Sequence, residues 1–255
     1  MRTVIIMGSG PGVVAAQSWP KQGACLVAIN NAWQVRSDWD VLIHPDDFPA
    51  ERRPASLGPG QQIVTSADYV PVQNALGGFV YAGGTMAFTA AYWALKTLHP
   101  KVIAMVGCDM VYPATGPTHF YGTGTADPLR PDVSLRSLEA KSARFMLLAA
   151  RAGCAVVNLS DAPHSRLVCP RAIHATLGTQ TPLPFDARLT EAALHREAEL
   201  GYVVPSGKYW KVADRFDPAK IDQIDAMWLR AAGVRSTLHA ETGLSDLPRV
   251  AHQNG

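Results

Sequence analysis

The chain has 255 residues, of which 47% are apolar and 17% are charged, and its formal net charge is +2. A chain of this length can bury one large core, and this composition argues against intrinsic disorder. Lysine and arginine are scattered and form no basic stripe with interleaved aromatic residues, so nucleic acid is not an expected partner. No apolar run is long enough to span a bilayer, and the N-terminus is too short for a signal peptide before its glycines begin. We therefore expect a cytoplasmic protein.

The predicted elements alternate between short apolar runs and segments of helical period, a pattern typical of βαβ units. The predicted strands are Thr3–Met7, Leu26–Ile29, Asp40–Ile43, Ile63–Thr65, Val102–Val106 and Cys154–Leu159. The predicted helices are Val13–Trp19, Thr85–Leu98, Ser134–Ala152, Leu189–Gly201 and Asp217–Ala232, and Phe79–Tyr81 is predicted to be extended. This order indicates an α/β fold with a Rossmann-like, open, mostly parallel sheet and helices on both faces.

The two parts of the chain differ in their patterns. Residues 1–160 carry the strands and are predicted to form the nucleotide-binding core, whereas residues 161–255 are predicted to be a mostly helical C-terminal extension or cap of the same domain. Lysine and arginine of the helix Ser134–Ala152 are expected on its outer face. The C-terminal part also carries aromatic residues that are expected to be exposed, namely Tyr209, Trp210 and Trp228. They indicate either packing of a cap or a subunit interface, and the second alternative implies a homo-oligomer. The last dozen residues are expected to fray.

The four cysteines share no CxxC spacing, and three of them lie in or beside apolar runs. They are predicted to be small core residues in a reducing compartment, and the spacing gives no support for a zinc site. These residues are Cys25, Cys108, Cys154 and Cys169.

The first predicted strand runs into a glycine-rich turn, formed by Gly8, Ser9, Gly10, Pro11 and Gly12, that opens the next helix. Glycine tolerates unusual backbone angles and removes the Cβ atom that would block a ligand, while a helix N-terminus offers free N–H groups to an anion. The turn is therefore predicted to hold a phosphate group. It departs from the dinucleotide GxGxxG pattern, and the alternative is a tight strand–helix turn without a ligand.

Polar side chains follow several of the other predicted strands. Asn30 and Asn31 end the second strand, His44, Asp46 and Asp47 follow the third, and Asp109 follows Val102–Val106. Ligands of open α/β sheets bind at the carboxyl ends of the strands. An amide suits a ribose hydroxyl or a base edge, because it both donates and accepts hydrogen bonds. Turn or cap chemistry is the alternative for each of these residues.

Two further segments are candidates for chemistry. Gly83, Gly84 and Thr85 precede the longest predicted helix, where they form either a second phosphate contact or a plain N-cap. His119 lies in the loop 110–131, which is long enough to be a functional lid. His119 is a candidate general base, and Asp109 could orient it or hold a divalent metal.

The order of these motifs resembles one superfamily. Gly8-Ser9-Gly10-Pro11, Asn30, Gly83-Gly84-Thr85, Gly107-Cys108-Asp109-Met110 and Thr118-His119-Phe120 are similar to motifs of the bacterial family-42 sialyltransferases and the 6-hydroxymethylpterin diphosphokinase-like proteins (domain of unknown function 115). The resemblance covers residues 3–160. Gly12 departs from the usual serine or threonine after the proline, and Tyr112 and Tyr121 are the candidates for the family's paired tyrosines.

The resemblance implies a transferase with a nucleotide or nucleotide-sugar ligand, CMP-type being favoured, and a hydroxyl acceptor. It implies that Gly8, Ser9, Gly10 and Asn30 bind the nucleotide, that Gly84 and Thr85 contact the donor, and that His119 is the base. In the diphosphokinase branch, magnesium would be bound by Asp109, and we add Asp46 and Asp47 as ligands. The third alternative is a non-catalytic nucleotide-binding or structural module.

Overall fold

The fold is an open sheet of six parallel strands, seen in a computed structural model that describes residues 2–113, 115–124 and 130–234. The strand order is β4-β3-β2-β1-β5-β6. The strands are β1 (Thr3–Met7), β2 (Cys25–Ile29), β3 (Val41–Ile43), β4 (Gln62–Val64), β5 (Val102–Val106) and β6 (Ala155–Asn158). The predicted α/β class and Rossmann-like parallel sheet are confirmed.

The central strands are continuous apolar runs because both faces of the sheet are covered. In β1, Val4 and Ile6 belong to the core on one face, and Ile5 and Met7 belong to the core on the other. The direction in which the chain adds strands reverses at β1: β2, β3 and β4 follow on one side of it, and β5 and β6 follow on the other. This arrangement creates a topological switch point, where open α/β sheets bind ligands at the carboxyl ends of their strands.

The layers around the sheet differ in kind. One face is covered by α1, α3 and α4, and the other by 3₁₀ helices at Pro11–Ser18, Asn30–Val35 and His174–Thr179. The helices α5 and α6 pack on α4 and form an outer layer with their own core. The α-helices are α1 (Ser66–Ala75), α2 (Phe79–Ala82), α3 (Met86–Leu98), α4 (Leu138–Arg151), α5 (Ala187–Leu200) and α6 (Pro218–Ala231).

The prediction that residues 79–81 are extended is wrong, because they form the single helical turn α2. Glycines in the left-handed region flank this turn, with φ of 82° at Gly78 and 88° at Gly83. Such angles let the chain enter and leave one helical turn abruptly. The amide of Gly83 closes the turn by donating to the carbonyl of Phe79 at 2.9 Å.

The prediction that basic residues of this helix lie on its outer face holds for Arg136 and Arg151, which are exposed, but is wrong for Lys141 and Arg144. Lys141 and Arg144 are buried where α5 and α6 cover α4. Lys141 pairs with Asp225 of α6 at 2.6 Å, and Arg144 pairs with Glu197 of α5 at 2.8 Å. The face that the sequence pattern assigns to solvent is therefore an interface between helical layers.

The predicted exposure of two aromatic residues is wrong as well. Tyr209 and Trp228 are buried in the core of the outer layer, and Trp210 alone of the three is exposed. The four cysteines are buried and free, as predicted. The end of the predicted extension, residues 235–255, lies outside the described residues, as do residues 114 and 125–129 of the predicted loop. Across the described ranges, no helix combines the length and apolar character needed to cross a membrane.

Candidate functional site

A cleft of about 1240 Å³ lies at the carboxyl edge of the sheet. It is lined by the turns after β1, β2, β3 and β5, by the start of α3, and by residues 206–210 from the outer layer. Its volume is large enough for a ligand of nucleotide size. The lining includes Gly8, Ser9, Gly10, Asn30, Asn31, Asp46, Asp47, Gly84, Thr85 and His119 from the predicted site residues. Pro11, Gly83 and Asp109 do not contribute to it.

The glycines after β1 are explained first by packing against β5. The amide of Gly8 donates to Val106 O and that of Gly10 donates to Gly107 O, both at 2.8 Å. A Cβ atom on Gly8 would lie 2.4 Å from Gly107 O, and one on Gly10 would lie 2.8 Å from it. A side chain at Gly8 or Gly10 would therefore collide with Gly107 and would not reach a ligand. The expectation that these glycines make room for a ligand is wrong, because they make room for the backbone after β5. Within the described ranges, the Ser9 amide donates no hydrogen bond and is left available at the cleft.

We expect Gly8→Ala to lower the free energy of unfolding by about 1–3 kcal/mol, since the added methyl group overpacks a backbone contact. Gly12→Ala is the matched control, because its new methyl group would have no atom within 4 Å and its φ is not in the left-handed region. That variant should change stability by no more than about 0.5 kcal/mol. Urea denaturation measures both, and equal effects of the two substitutions would contradict the packing explanation.

The asparagines after β2 present unsatisfied acceptors. Asn30 adopts a left-handed φ of 51°, which is unusual for a residue other than glycine. In the described part of the protein, Asn30 Oδ1 and Asn31 Oδ1 are buried without a hydrogen-bond partner. Buried polar atoms without partners are rare and call for a ligand or a water. Backbone strain next to such atoms is typical of a binding site.

A third unsatisfied acceptor follows β3. His44 is buried, and its Nδ1 lies 2.8 Å from the carbonyl oxygen of Pro45. Because a carbonyl only accepts, Nδ1 carries the proton, and Nε2 is left as a buried acceptor without a partner in the described structure. Asp46 and Asp47 come next and line the cleft. His44 itself is not part of the cleft lining, so the acceptors that the ends of β2 and β3 offer to a ligand are Asn30, Asn31, Asp46 and Asp47. They suit a ligand group that donates hydrogen bonds.

Asp109 is directed toward β6 instead of the cleft. Its Oδ2 accepts from Ser160 Oγ at 2.6 Å, and its Oδ1 accepts from Asn158 Nδ2 at 3.2 Å. The described residues contain no group of three or more His, Cys, Asp or Glu side chains placed to hold a metal ion. Magnesium binding by Asp46, Asp47 and Asp109 therefore stays a prediction without a matching cluster. In the described structure, no hydrogen bond joins Asp109 to His119, so orientation of His119 by Asp109 has no support in the contacts.

His119 is held beside the glycine-rich turn. The amide of Phe120 donates to Ser9 O at 3.0 Å, and His119 forms an antiparallel bridge with Gly122. The imidazole stacks on the ring of Tyr121, with 5.0 Å between the ring centroids. The segment that carries the candidate base is thus joined to the glycine-rich turn by the backbone hydrogen bond between Phe120 and Ser9.

The hydrogen bonds of Thr118 are compatible with the tautomer of His119 that a general base needs. Thr118 Oγ1 donates to Gly124 O at 3.1 Å, accepts from Gly124 N at 3.0 Å, and lies 2.8 Å from His119 Nδ1. When the hydroxyl proton is donated to Gly124 O, Nδ1–H donates to Thr118 Oγ1 and Nε2 of the neutral imidazole is unprotonated. Partial burial also lowers the pKa of His119 below its ordinary 6.5. Both effects favour a neutral imidazole with a basic Nε2 at pH 7.

Thr85 and Gly84 shape the opposite wall. Thr85 Oγ1 accepts from Phe88 N at 3.3 Å, so the N-cap alternative holds at this position. A Cβ atom on Gly84 would lie 2.1 Å from the hydroxyl of Tyr209, so only glycine fits here. Gly83 packs against Phe88 and Lys141.

The sequence did not predict the network that closes this wall. Asp132 accepts from Tyr209 Oη at 2.7 Å and from Ser134 Oγ at 2.6 Å, and Arg130 donates to Gly84 O at 3.0 Å. Burial opposes ionisation of Asp132, but the bonds from Ser134 and Tyr209 outweigh it and hold its pKa below the ordinary value. Burial raises the pKa of Tyr209 to about 12, so its hydroxyl remains a donor. Arg52, Lys208 and Trp210 also line the cleft.

Comparison with known proteins gives no relative for this chain. No protein-family model matches it, and neither a curated protein nor a solved structure does. Its function must therefore be inferred from the residues of the cleft.

Proposed function

We propose that this protein is a sialyltransferase-like transferase that takes a sugar from a nucleotide-activated donor, the activating nucleotide being CMP. The observation that carries the proposal is the meeting of three features in one cleft: the Ser9 amide and the Asn30 and Asn31 oxygens, which have no hydrogen-bond partner among the described residues, and His119, whose pKa is lowered by burial. Each of these features would bind or activate a different part of the substrates: the phosphate, the ribose and the acceptor hydroxyl.

The nucleotide portion would occupy the ends of β1 and β2. The Ser9 amide would donate to the phosphate, while Asn30 and Asn31 would accept from ribose hydroxyls. The acceptor groups after β3 suit a base that carries an exocyclic amine, because such an amine donates hydrogen bonds. Cytosine has this amine and uracil does not, so the acceptor-rich lining favours CMP over UDP.

His119 would activate the acceptor. Its Nε2 takes the proton of the acceptor hydroxyl as the oxygen attacks the donor's anomeric carbon. The bond from that carbon to the phosphate oxygen breaks, and CMP leaves with the bonding electron pair. Nε2 is free for this role in the tautomer in which Nδ1–H donates to Thr118 Oγ1.

Calorimetric titration with CMP, CDP, UDP, GDP, AMP, ATP and NAD, each with and without magnesium, tests the proposal. Tight binding of CMP without metal supports it. Magnesium-dependent binding of a triphosphate would overturn it in favour of a diphosphokinase, and no binding across the panel would leave the non-catalytic module.

We expect Asn31→Ala to weaken CMP binding by about fivefold, which corresponds to about 1 kcal/mol for one hydrogen bond. The free energy of unfolding should not fall, because Asn31 Oδ1 has no partner among the described residues. Asn74→Ala is the matched control, since the buried Oδ1 of Asn74 also has no partner in the described structure but Asn74 lies outside the cleft lining. Calorimetry with CMP should give the wild-type Kd for this control. Unaltered binding in Asn31→Ala would place the nucleotide elsewhere.

A further inference from the structure

A second pocket, of about 690 Å³, lies at the opposite edge of the sheet from the cleft. It is formed by the C-terminal ends of α1, α3 and α4 together with α5. Helix α3 ends at Leu98, just before β5 begins at Val102, and α4 ends at Arg151, just before β6 begins at Ala155. These helix ends therefore lie at the amino edge of the parallel sheet, whereas the cleft lies at its carboxyl edge. Among the described residues the two linings have none in common, so the pocket is a separate site.

The wall of the pocket is apolar. Leu76, Leu148, Leu194 and Val203 line it and are only half-buried, so part of each side chain remains accessible. Ala198 lines it as well, and its short side chain leaves the space between α5 and α4 open. A concave apolar surface of this volume is typical of a site for a small molecule.

The buried members of the lining are Arg144 and Glu197, and their charges cancel. Arg144 Nε donates to Glu197 Oε1 and Arg144 Nη2 donates to Glu197 Oε2, both at 2.8 Å. Trp228 Nε1 also donates to Glu197 Oε1, at 2.7 Å. A Cβ atom on Gly77 would lie 2.5 Å from Arg144 Nη2, so the backbone of Gly77 lies directly on the guanidinium. The pair therefore offers a ligand no net charge, and its carboxylate already has its donors.

The exposed members of the lining carry one uncompensated positive charge. They are Lys96, His99 and Arg151. Arg151 pairs with Glu191 at 2.6 Å, whereas Lys96 has no ion-pair partner within the described ranges. The imidazole of His99 adds a group that can donate a hydrogen bond. The rim of the pocket therefore complements a ligand group with a single negative charge.

We propose that this pocket binds a small apolar monocarboxylate of the kind that a medium-chain fatty acid represents, independently of the transferase function. The hydrocarbon chain covers Leu76, Leu148 and Leu194, and the carboxylate lies at the rim beside the ammonium group of Lys96. Burial of the chain supplies most of the binding free energy. The exposed ion pair contributes less and selects the sign of the charge. A cationic ligand would be repelled by Lys96, and a dianion would keep one charge uncompensated.

The first test compares ligands that share a hydrocarbon chain and differ in charge. The full chain is titrated calorimetrically with octanoate, octan-1-ol and octylammonium. We expect octanoate to bind most tightly and octylammonium least tightly. Decanoate should bind about tenfold more tightly than octanoate, because it buries two further CH₂ groups.

The second test uses variants of the lining. Ala198→Trp fills the pocket and should weaken octanoate and octan-1-ol alike, by about tenfold or more. Ala192→Trp is its matched control, since Ala192 is exposed on the same helix but lies outside the lining. Lys96→Gln should weaken octanoate by about two- to fivefold and leave octan-1-ol unchanged. The control for charge is Lys101→Gln, because Lys101 is exposed and also lies outside the lining.

Several outcomes would overturn the proposal. They are no binding of octanoate by the wild-type protein, equal binding of octanoate and octylammonium, and wild-type affinity for octanoate in Ala198→Trp or Lys96→Gln. Displacement of octanoate by CMP would place it in the cleft instead. A dimer seen by light scattering that Ala198→Trp dissociates would make the pocket an interface between two copies of the chain. If octanoate binds as expected and no nucleotide binds, the transferase proposal fails while the carboxylate site stands.

Discussion

Replacing Arg144 by methionine is expected to lower the free energy of unfolding by about 3–5 kcal/mol, because it leaves Glu197 as a buried charge without a cation. Arg144 donates to both carboxylate oxygens of Glu197 at 2.8 Å, to Tyr92 Oη at 2.7 Å and to Leu76 O at 2.7 Å. Its loss therefore leaves several buried acceptors unsatisfied at once. Urea denaturation followed by circular dichroism measures the change.

The double variant Arg144→Met, Glu197→Leu should be more stable than Arg144→Met alone, because it removes the unpaired charge as well as its partner. The exposed pair of Arg166 with Glu139, at 3.1 Å, is the matched control. Arg166→Met should change stability by no more than about 1 kcal/mol. The single variant Glu197→Leu completes the comparison. If the free energy of unfolding of the double variant falls by the sum of the falls in the two single variants, then Arg144 and Glu197 do not act as a unit.

The sequence predicts this fold well where a local pattern determines the structure. The strands β1, β2 and β5 are continuous apolar runs because both faces are covered, and that cause lies within the segment itself. No element was predicted for α1, although its start carries a capping box in which Thr65 N donates to Asp68 Oδ2 at 2.9 Å. The capping box was the available signal, and Pro71 inside the helix obscured it.

Partners that are distant in sequence explain the errors in the outer layer. Arg144 and Lys141 have the helical spacing of a solvated face, and their burial depends on carboxylates 53 and 84 residues further along the chain. A local pattern contains no information about these partners. The predicted exposure of Tyr209 fails for the same reason, since its hydroxyl is bound by Asp132.

The cleft was predicted in part. The polar ends of β1, β2 and β3 meet because parallel strands end at the same edge, which the sequence pattern implies. The same rule gives a wrong result for Asp109. Strand β6 also ends at this edge, and Asn158 at its end and Ser160 just after it donate hydrogen bonds to the Asp109 carboxylate, which is therefore directed away from the cleft. The wall with Trp210 was not predicted, since it depends on how the chain after α5 folds back on Gly84.

His119→Ala is expected to reduce the transfer rate by about 10²–10⁴-fold with little change in CMP affinity, because the base acts on the acceptor and does not hold the nucleotide. CMP release from an activated donor, measured with and without a saccharide acceptor, gives the rate. In the wild-type protein the rate should fall as the pH drops through the pKa of His119. That pKa is lowered by burial, so the fall should occur below the ordinary 6.5.

Substitutions of Thr118 test whether His119 acts as the base. Thr118 contacts the imidazole of His119 but does not line the cleft, so it can position the imidazole without touching the substrate. Thr118→Val removes the hydroxyl that is hydrogen-bonded to Nδ1, so the rate should fall and the acid limb of the pH profile should shift. Thr118→Ser keeps the hydroxyl and should restore both the rate and the profile. A rate in His119→Ala equal to that of the wild-type protein would remove His119 from the mechanism. A fall in Thr118→Ser as large as in Thr118→Val would mean that packing of the Thr118 methyl group, rather than its hydroxyl, supports the site.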